Sequence, residues 1–330
     1  MTDLSTIYMG LKLKNPVIAG SSGMTDSVSK IIELEKAGAA AVVLKSIFEE
    51  EIILEMEEQS HQMTGRFFVY PETFDYMEQE PEEDIIRKYL RLIKEAKEAV
   101  SIPVIASVNC VSSQKWTYLA KEIEKAGADA LELNAFILPS DLNRSSEDNE
   151  KIYYDIIEEV RKHSSIPLAM KISYYFSNLA QMIQNLSDAD IQGLVLFNRF
   201  YSPDFDIENM SVVSSYILSS PDDLPISLRW TGIMSDRVNC SLCASTGVHD
   251  GKALIKQLLA GADAVQLVSA LYRHGADYIG QVLKELEEWM QNQGFEDIKS
   301  FRGKLSQSRA HDPAAYERVQ FMKHFRNFRK

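Results

Sequence analysis

Apolar runs along this 330-residue chain end repeatedly on residues able to hold a ligand. They stop at Ser21-Ser22-Gly23, Lys45-Ser46, Asn109, Asn134, Lys171 and Asn198. Core packing would not choose polar residues at six successive strand ends. Lys45 and Lys171 close the runs Val42-Val43-Leu44-Lys45 and Leu168-Ala169-Met170-Lys171. Either lysine alone reads as a strand-end residue that snorkels to water. Two lysines with three asparagines read as a ligand site, and the charges favour an anionic ligand or an anionic reduced cofactor. Ser245-Thr246-Gly247-Val248 precedes a helix that opens near Gly251, and Ser269 lies one strand further on. At the end of a barrel, such loops grip a phosphate through backbone N–H groups and a helix N-terminus. Standing alone, Ser-Thr-Gly-Val is an ordinary glycine turn.

These residues need strands to carry them, and the chain supplies eight. The strands are Asn15–Gly20, Ala40–Ser46, Ile102–Asn109, a fourth from Ala130, Pro167–Ser173, Gly193–Asn198, Val238–Ser245 and Asp263–Ala270. Between them run helical stretches: Val28–Lys36, Glu82–Val100, Trp116–Ala126, Glu147–Lys162, Asn178–Asn185, Ser227–Arg237 and Gly251–Leu259, with Tyr278–Gln293 closing. Strict alternation of this kind predicts an α/β fold, a (β/α)8 TIM barrel with its site at the C-terminal ends of the strands. A doubly wound sheet is the competitor, but no GxGxxG follows the first strand. Lys36-Ala37-Gly38-Ala39, Lys125-Ala126-Gly127-Ala128 and Leu259-Ala260-Gly261-Ala262 repeat one helix-to-strand turn, with glycine ending each helix. The reading is of one barrel over residues 1–330, with long irregular loops at about 47–81 and 199–224.

Composition excludes some classes. Hydrophobic residues at 45% and charged residues at 25% are ordinary for a globular protein. A net charge of −13 argues against a nucleic-acid partner. No apolar run approaches the roughly 20 residues of a membrane span. Met-Thr-Asp-Leu-Ser-Thr lacks the basic and apolar segments of a signal peptide. Cys110, Cys240 and Cys243 make no disulfide framework, which fits a reducing cytoplasm. Cys240 and Cys243 have CxxC spacing but lie on a strand, where residues three apart point to opposite faces. The six histidines form no metal-binding pattern, so no metal site is expected.

The ensemble of motifs resembles the dihydroorotate dehydrogenases nearly end to end. Leu11-Lys12-Leu13-Lys14-Asn15-Pro16 looks like that family's opening strand, with Ser22-Gly23 beneath a flavin. Lys45-Ser46 matches its lysine–serine pair near flavin and substrate, Asn109 a flavin-contacting asparagine, and Glu132-Leu133-Asn134 its "ELN" strand. Lys171 matches the lysine beside the flavin ring, while Thr246-Gly247 and Val268-Ser269 fall on the flavin-phosphate loops. Lys284-Glu285-Leu286 through Ser300-Phe301-Arg302-Gly303-Lys304-Leu305 is similar to its closing helix and tail. The resemblance implies noncovalent FMN, hydride transfer from a substrate carbon to flavin N5, and a substrate contacted by Lys45, Asn134 and Asn198. It also implies a cytoplasmic, cytosolic-type homodimer. Any iron–sulfur centre, and the electron acceptor it serves, would belong to a separate partner chain.

Departures cluster on the substrate half. The family takes a proton with a cysteine or serine three residues after the strand-four asparagine, and here that position is Ile137. The proline–asparagine that usually follows is Leu138-Pro139, and Tyr70–Tyr76 lacks the family's second-loop asparagine. Ser140, Cys110, Tyr174 and Tyr175 are the alternative proton carriers, each with packing or loop structure as its plain reading. Glu132 shares a strand face with Asn134, so it points into the barrel and needs a partner, for which Lys171 is the natural choice. Three functions remain open: dihydroorotate oxidation with an altered base, flavin chemistry on another small planar or carboxylated substrate, or flavin binding without turnover.

Overall fold

The computed structural model describes residues 2–53, 84–113, 116–135, 137–199, 202–215 and 218–317. The segment Tyr70–Tyr76, expected to face the substrate, lies outside them. The chain opens with an antiparallel hairpin, β1 (Thr6–Tyr8) and β2 (Leu11–Leu13). Then come β3 (Val17–Ala19), β4 (Ala41–Val43), β5 (Ile47–Phe48), β6 (Val104–Cys110), β7 (Ala130–Ala135), β8 (Leu168–Ile172) and β9 (Gly193–Leu196). A second hairpin, β10 (Ser202–Asp206) and β11 (Ser211–Ser215), precedes β12 (Ser241–Ala244) and β13 (Ala264–Leu267). The parallel sheet runs β4-β3-β13-β12-β9-β8-β7-β6, and β4 pairs again with β6. That pairing closes eight parallel strands into the expected (β/α)8 barrel.

The helices are α1 (Val28–Lys36), α2 (Ile85–Ala99), α3 (Leu119–Lys125), α4 (Ser146–Arg161), α5 (Leu179–Ser187), α6 (Leu224–Met234), α7 (Gly251–Ala260), α8 (Ser269–His274) and α9 (Tyr278–Gln293). Local chemistry sets their ends. Ser145 and Asp148 form a reciprocal capping box at the start of α4. The repeated turns place Gly38, Gly127 and Gly261 at φ of +110, +95 and +116, as the sequence rhythm requires.

Alternation along the strands sorts side chains into two layers. Val17, Ala19, Val42, Leu44, Leu131, Leu133, Met170 and Leu267 point outward and pack under the helices. Ile18, Ala41, Val43, Ile105, Ala130, Ala169, Val195, Cys243 and Ala264 point inward. Four of these nine inward residues are alanines, which leaves room for Tyr8 and Met9, fully buried from the first hairpin, to plug the barrel base. A Cβ at Gly193 would come within 2.8 Å of Met9 and 3.1 Å of the Tyr8 hydroxyl, so that position must stay bare. Cys243 faces the inner layer and Cys240, which lies just before β12 and not on the strand as expected, packs on the outer one. Burial pushes the Cys240 thiol up to about 12.

Several boundaries differ from the sequence expectation: the seventh strand is Ser241–Ala244 rather than Val238–Ser245, and the loop expected over 47–81 opens with β5. The stretch 199–224 is not wholly irregular, because it contains the β10–β11 hairpin and a tight turn at Pro221–Asp223. Helix α6 starts at Leu224, three residues earlier than expected, because Pro225 fits the first turn of a helix. The eighth strand ends at Leu267, and Ser269 already begins α8.

One seam in the barrel wall is sealed by a side chain. β4 pairs with β6 at Val43 and Ile105, and β5 resumes at Ile47 and Val108. Ser107 lies between. The Tyr89 hydroxyl, from α2, accepts from the Ser107 N–H at 2.6 Å and donates to its carbonyl at 2.9 Å. Both groups are buried, so losing the hydroxyl would strand them. Tyr89→Phe is expected to lower unfolding stability by about 1–3 kcal/mol in a denaturant titration. A loss below about 0.5 kcal/mol would show that the seam does not depend on this hydroxyl.

Candidate active site

At the C-terminal mouth of the barrel, Asn109, Asn134 and Lys171 stand in register across β6, β7 and β8. Asn198, just beyond β9, donates from Nδ2 to Asn134 Oδ1 at 2.7 Å. This bond ties the ends of the fourth and sixth barrel strands together. Below it lies a buried polar floor. Lys171 Nζ donates to Gln266 Oε1 at 3.0 Å and sits 3.9 Å from Glu132 Oε1. Gln266 Nε2 donates to Glu132 Oε2. Lys171, Glu132 and Gln266 are only 6%, 1% and 2% exposed. The expected Glu132–Lys171 pairing is therefore present, with Gln266 as an added bridge. Burial pushes the Glu132 carboxyl up, and Lys171 and the Gln266 amide pull it part of the way back.

A cavity of about 150 Å³ adjoins the floor, lined in part by Lys171, Asn198, Ser245, Thr246, Gly247 and Ser269. Thr246 and Gly247 both take left-handed backbone, with φ of +73 and +81. A Cβ at Gly247 would fall 2.2 Å from the Leu224 backbone nitrogen, so only glycine lets this loop pass α6. Thr246 Oγ1 donates to the Phe197 carbonyl at 3.1 Å, which fixes the loop against the sixth strand end. Val268 and Ser269 complete the wall where α8 opens without a side-chain cap. The start of α7 is different from the expectation. Asp250 accepts from Ala253 N–H, and Glu285 accepts from Gly251 N–H, so two carboxylates occupy that helix N-terminus. The cavity is thus walled by the Ser245–Gly247 loop and Val268–Ser269, while the α7 N-terminus is already taken by carboxylates.

The other expected residues divide. Ser46 Oγ lies 3.0 Å from Ser21 Oγ and 2.7 Å from Ser107 Oγ, linking the first, second and third barrel strands at the rim. Lys45 is exposed and faces a neighbouring groove beside Asp26 and Tyr89, because the chain leaves the sheet between β4 and β5. Ser22 folds back to bond the Gly20 carbonyl at 3.2 Å, and Gly23 N–H donates to the Tyr272 hydroxyl at 2.6 Å. These two residues therefore form a turn closed from above by α8.

The alternative proton carriers are also separated. Cys110 points outward into the helix layer, fully buried, and burial drives its thiol well above the ordinary range. That placement takes Cys110 away from the barrel mouth, since the last residue of β6 faces opposite to Asn109. Ile137 also packs in the outer apolar layer, at 7% exposure. Ser140 is exposed on the loop beyond it. The Tyr174 ring lies 5.7 Å from Phe197, edge to face, and 4.8 Å from Tyr175. Burial, then the neighbouring Tyr175, raises the Tyr174 hydroxyl, while Arg199 opposes the shift.

Sequence reasoning passed over Gln266 and Ser219. Gln266 had a signal: it is a polar residue at an inward position of an apolar strand, two places before Val268. Ser219 had none, being one serine in a loop. Its N–H donates to Ser269 Oγ at 2.9 Å and its Oγ lies 3.1 Å from His249 Nε2, so it pins the loop over the cavity.

Comparison with known proteins places the chain in a family. The model of the dihydroorotate dehydrogenase family matches residues 76–290. A Thermoplasma volcanium protein named dihydroorotate dehydrogenase B (NAD(+)), catalytic subunit, is 28% identical over 92% of this chain and 98% of its own. The Thermoplasma acidophilum protein of the same name is 25% identical over 92% of this chain and 99% of its own. A Methanocaldococcus jannaschii protein, also of that name, is 23% identical over 88% and 94%. With a closed eight-stranded barrel, a polar floor at its mouth and a family match across about two thirds of its length, this chain belongs to the dihydroorotate dehydrogenase family.

Proposed function

We propose that this dihydroorotate dehydrogenase-like oxidoreductase holds FMN at the barrel mouth and oxidises dihydroorotate to orotate, a step of pyrimidine synthesis. The observation that carries this reading is the buried Lys171–Gln266–Glu132 floor opening on an anion-suited cavity. A lysine buried to that degree serves a negative group above it far better than it serves packing. FMN, when bound, would supply a hydride acceptor at N5. Lys171 would steady the edge of the ring where negative charge grows. Thr246, Gly247, Val268 and Ser269 would hold its phosphate, and Ser22, Gly23, Ser46 and Asn109 would border the ring. Asn134 and Asn198, already bonded to each other, would orient the substrate, whereas Lys45, which faces the neighbouring groove, would not reach it.

The proton needs a carrier other than Ile137. Ser140, Tyr174 and Tyr175 remain from the sequence candidates. The Tyr174 ring packs on Phe197, next to Asn198, and its hydroxyl feels Arg199, which lines the cavity. Tyr174 is accordingly the proposed proton carrier. The rebuilt rim favours a second reading, in which another small planar or carboxylated molecule replaces dihydroorotate. The Thermoplasma relatives are named as catalytic subunits of an NAD(+)-type enzyme. By analogy, a separate electron-accepting subunit would take the hydride equivalents from this chain, which itself would pair as a cytoplasmic homodimer.

Anaerobic mixing with dihydroorotate should bleach the bound flavin in a single turnover. If it does not, while another carboxylated reductant does, the second reading replaces the first. Tyr174→Phe should slow that bleaching by about 100-fold or more, the usual scale of a lost general base. Because the phenol sits above its ordinary value near 10, the wild-type rate should still be rising at about pH 10. Tyr174→Phe should flatten that rise, and Ser140→Ala should leave it intact. The opposite pattern would assign the proton to Ser140.

A further inference from the structure

Glu132 touches neither the cavity nor the rim, yet it is 1% exposed at the centre of the barrel. Its Oε2 accepts from the Gln266 amide. Its Oε1 has no hydrogen-bond partner and faces Lys171 Nζ at 3.9 Å. That distance is too long for a direct bond and short enough for strong attraction in a medium of low dielectric. Among the described residues, Glu132 is the one carboxylate within ion-pair distance of Lys171. The Gln266 amide is oriented to match, with its oxygen toward the ammonium and its nitrogen toward the carboxylate. That alignment is favourable when both ends are charged. The other titratable groups of the interior, Tyr8 and Cys243, are kept neutral by burial.

We infer that Glu132 is a positioning residue: through its ion pair and the Gln266 bridge it keeps the Lys171 ammonium charged and aimed at the cavity. Without the carboxylate, a buried ammonium would face only neutral groups, with no opposite charge to offset the cost of its burial. The inference concerns the protein alone. Its consequence for a cofactor rests on the FMN reading: an electron-rich ring above a charged lysine is stabilised, and above a neutral one it is not.

The test uses Glu132→Gln, which keeps the side-chain length and the acceptor for Gln266. Nitrogen NMR of 15N-lysine-labelled protein, without added flavin, reads the charge directly. Wild type should show one solvent-protected ammonium signal, assigned by its absence in Lys171→Met. Glu132→Gln should lose that signal while other lysine signals stay in place. An ammonium that persists in Glu132→Gln would overturn the inference whether or not the protein binds FMN. In the flavin-loaded protein, Glu132→Gln should lower the preference for reduced over oxidised flavin at least tenfold, about 30 mV for a two-electron couple. In a Lys171→Met background, the same substitution should no longer lower it. An unchanged or raised potential in the single variant would also overturn the inference. A wild type that never binds flavin would defeat the FMN reading and leave the NMR result to decide this one. Should Glu132→Gln fail to fold, Gln266→Leu, which removes only the bridge, should weaken the protected ammonium signal. A full-strength signal there would count against the bridge and the inference with it.

Discussion

An ammonium and a carboxylate share the dry interior of a closed barrel, and the rest of the site is arranged around that fact. Two charges so deeply buried are tolerable when each faces the other and a polar side chain bridges them. The barrel supplies the conditions. Adjacent strands β7 and β8 bring Glu132 and Lys171 together, and β13 sends Gln266 across from the far wall. Alanines and the Tyr8–Met9 plug keep water out from below. The charge has one open direction, toward the mouth, where the Asn134–Asn198 bond and the Ser245–Gly247 loop stand. Fold and chemistry are thus coupled through a single buried pair.

Much of this was legible in the chain. The eight strands announced themselves through apolar runs separated by helical periodicity, and the glycine turns marked where each helix had to stop. Alternation alone put Glu132 and Asn134 on one face, with Lys171 one strand over. What stayed hidden has physical reasons. The hairpins β1–β2 and β10–β11 are too short, or too exposed, to produce a periodic apolar signal. Phe205 and Val212, for example, are both 71% exposed. The break between β4 and β5 turns Lys45 outward, and nothing local to that residue foretells it, since Tyr89 seals the seam from a distant helix. The α7 N-terminus is taken by Glu285, an acid 34 positions away from Gly251, which no local motif could reveal.

The loop after the fourth barrel strand is where the proposed site differs from the expectation drawn from the family resemblance. Ile137 does more than lack a proton acceptor, because its side chain joins the apolar layer under the helices and helps anchor the loop. A polar residue there would be buried without a partner, so the loop is built for packing instead of for catalysis at that point. Tyr174 and Tyr175 crowd the adjacent loop, and Arg199 reaches the cavity from the sixth strand. The proposed flavin-holding residues rest on different strands, away from this loop. A barrel can rebuild one set of loops while the charged floor stays fixed.

The central claim is that Lys171 and the loops beside it form an FMN site. Titrating the flavin-free protein with FMN, and following quenching of flavin fluorescence, tests it most directly. Saturation is expected at one FMN per chain, with Lys171→Ala binding at least tenfold more weakly. Absence of saturable binding, or a Lys171→Ala titration that overlays the wild type, would contradict it.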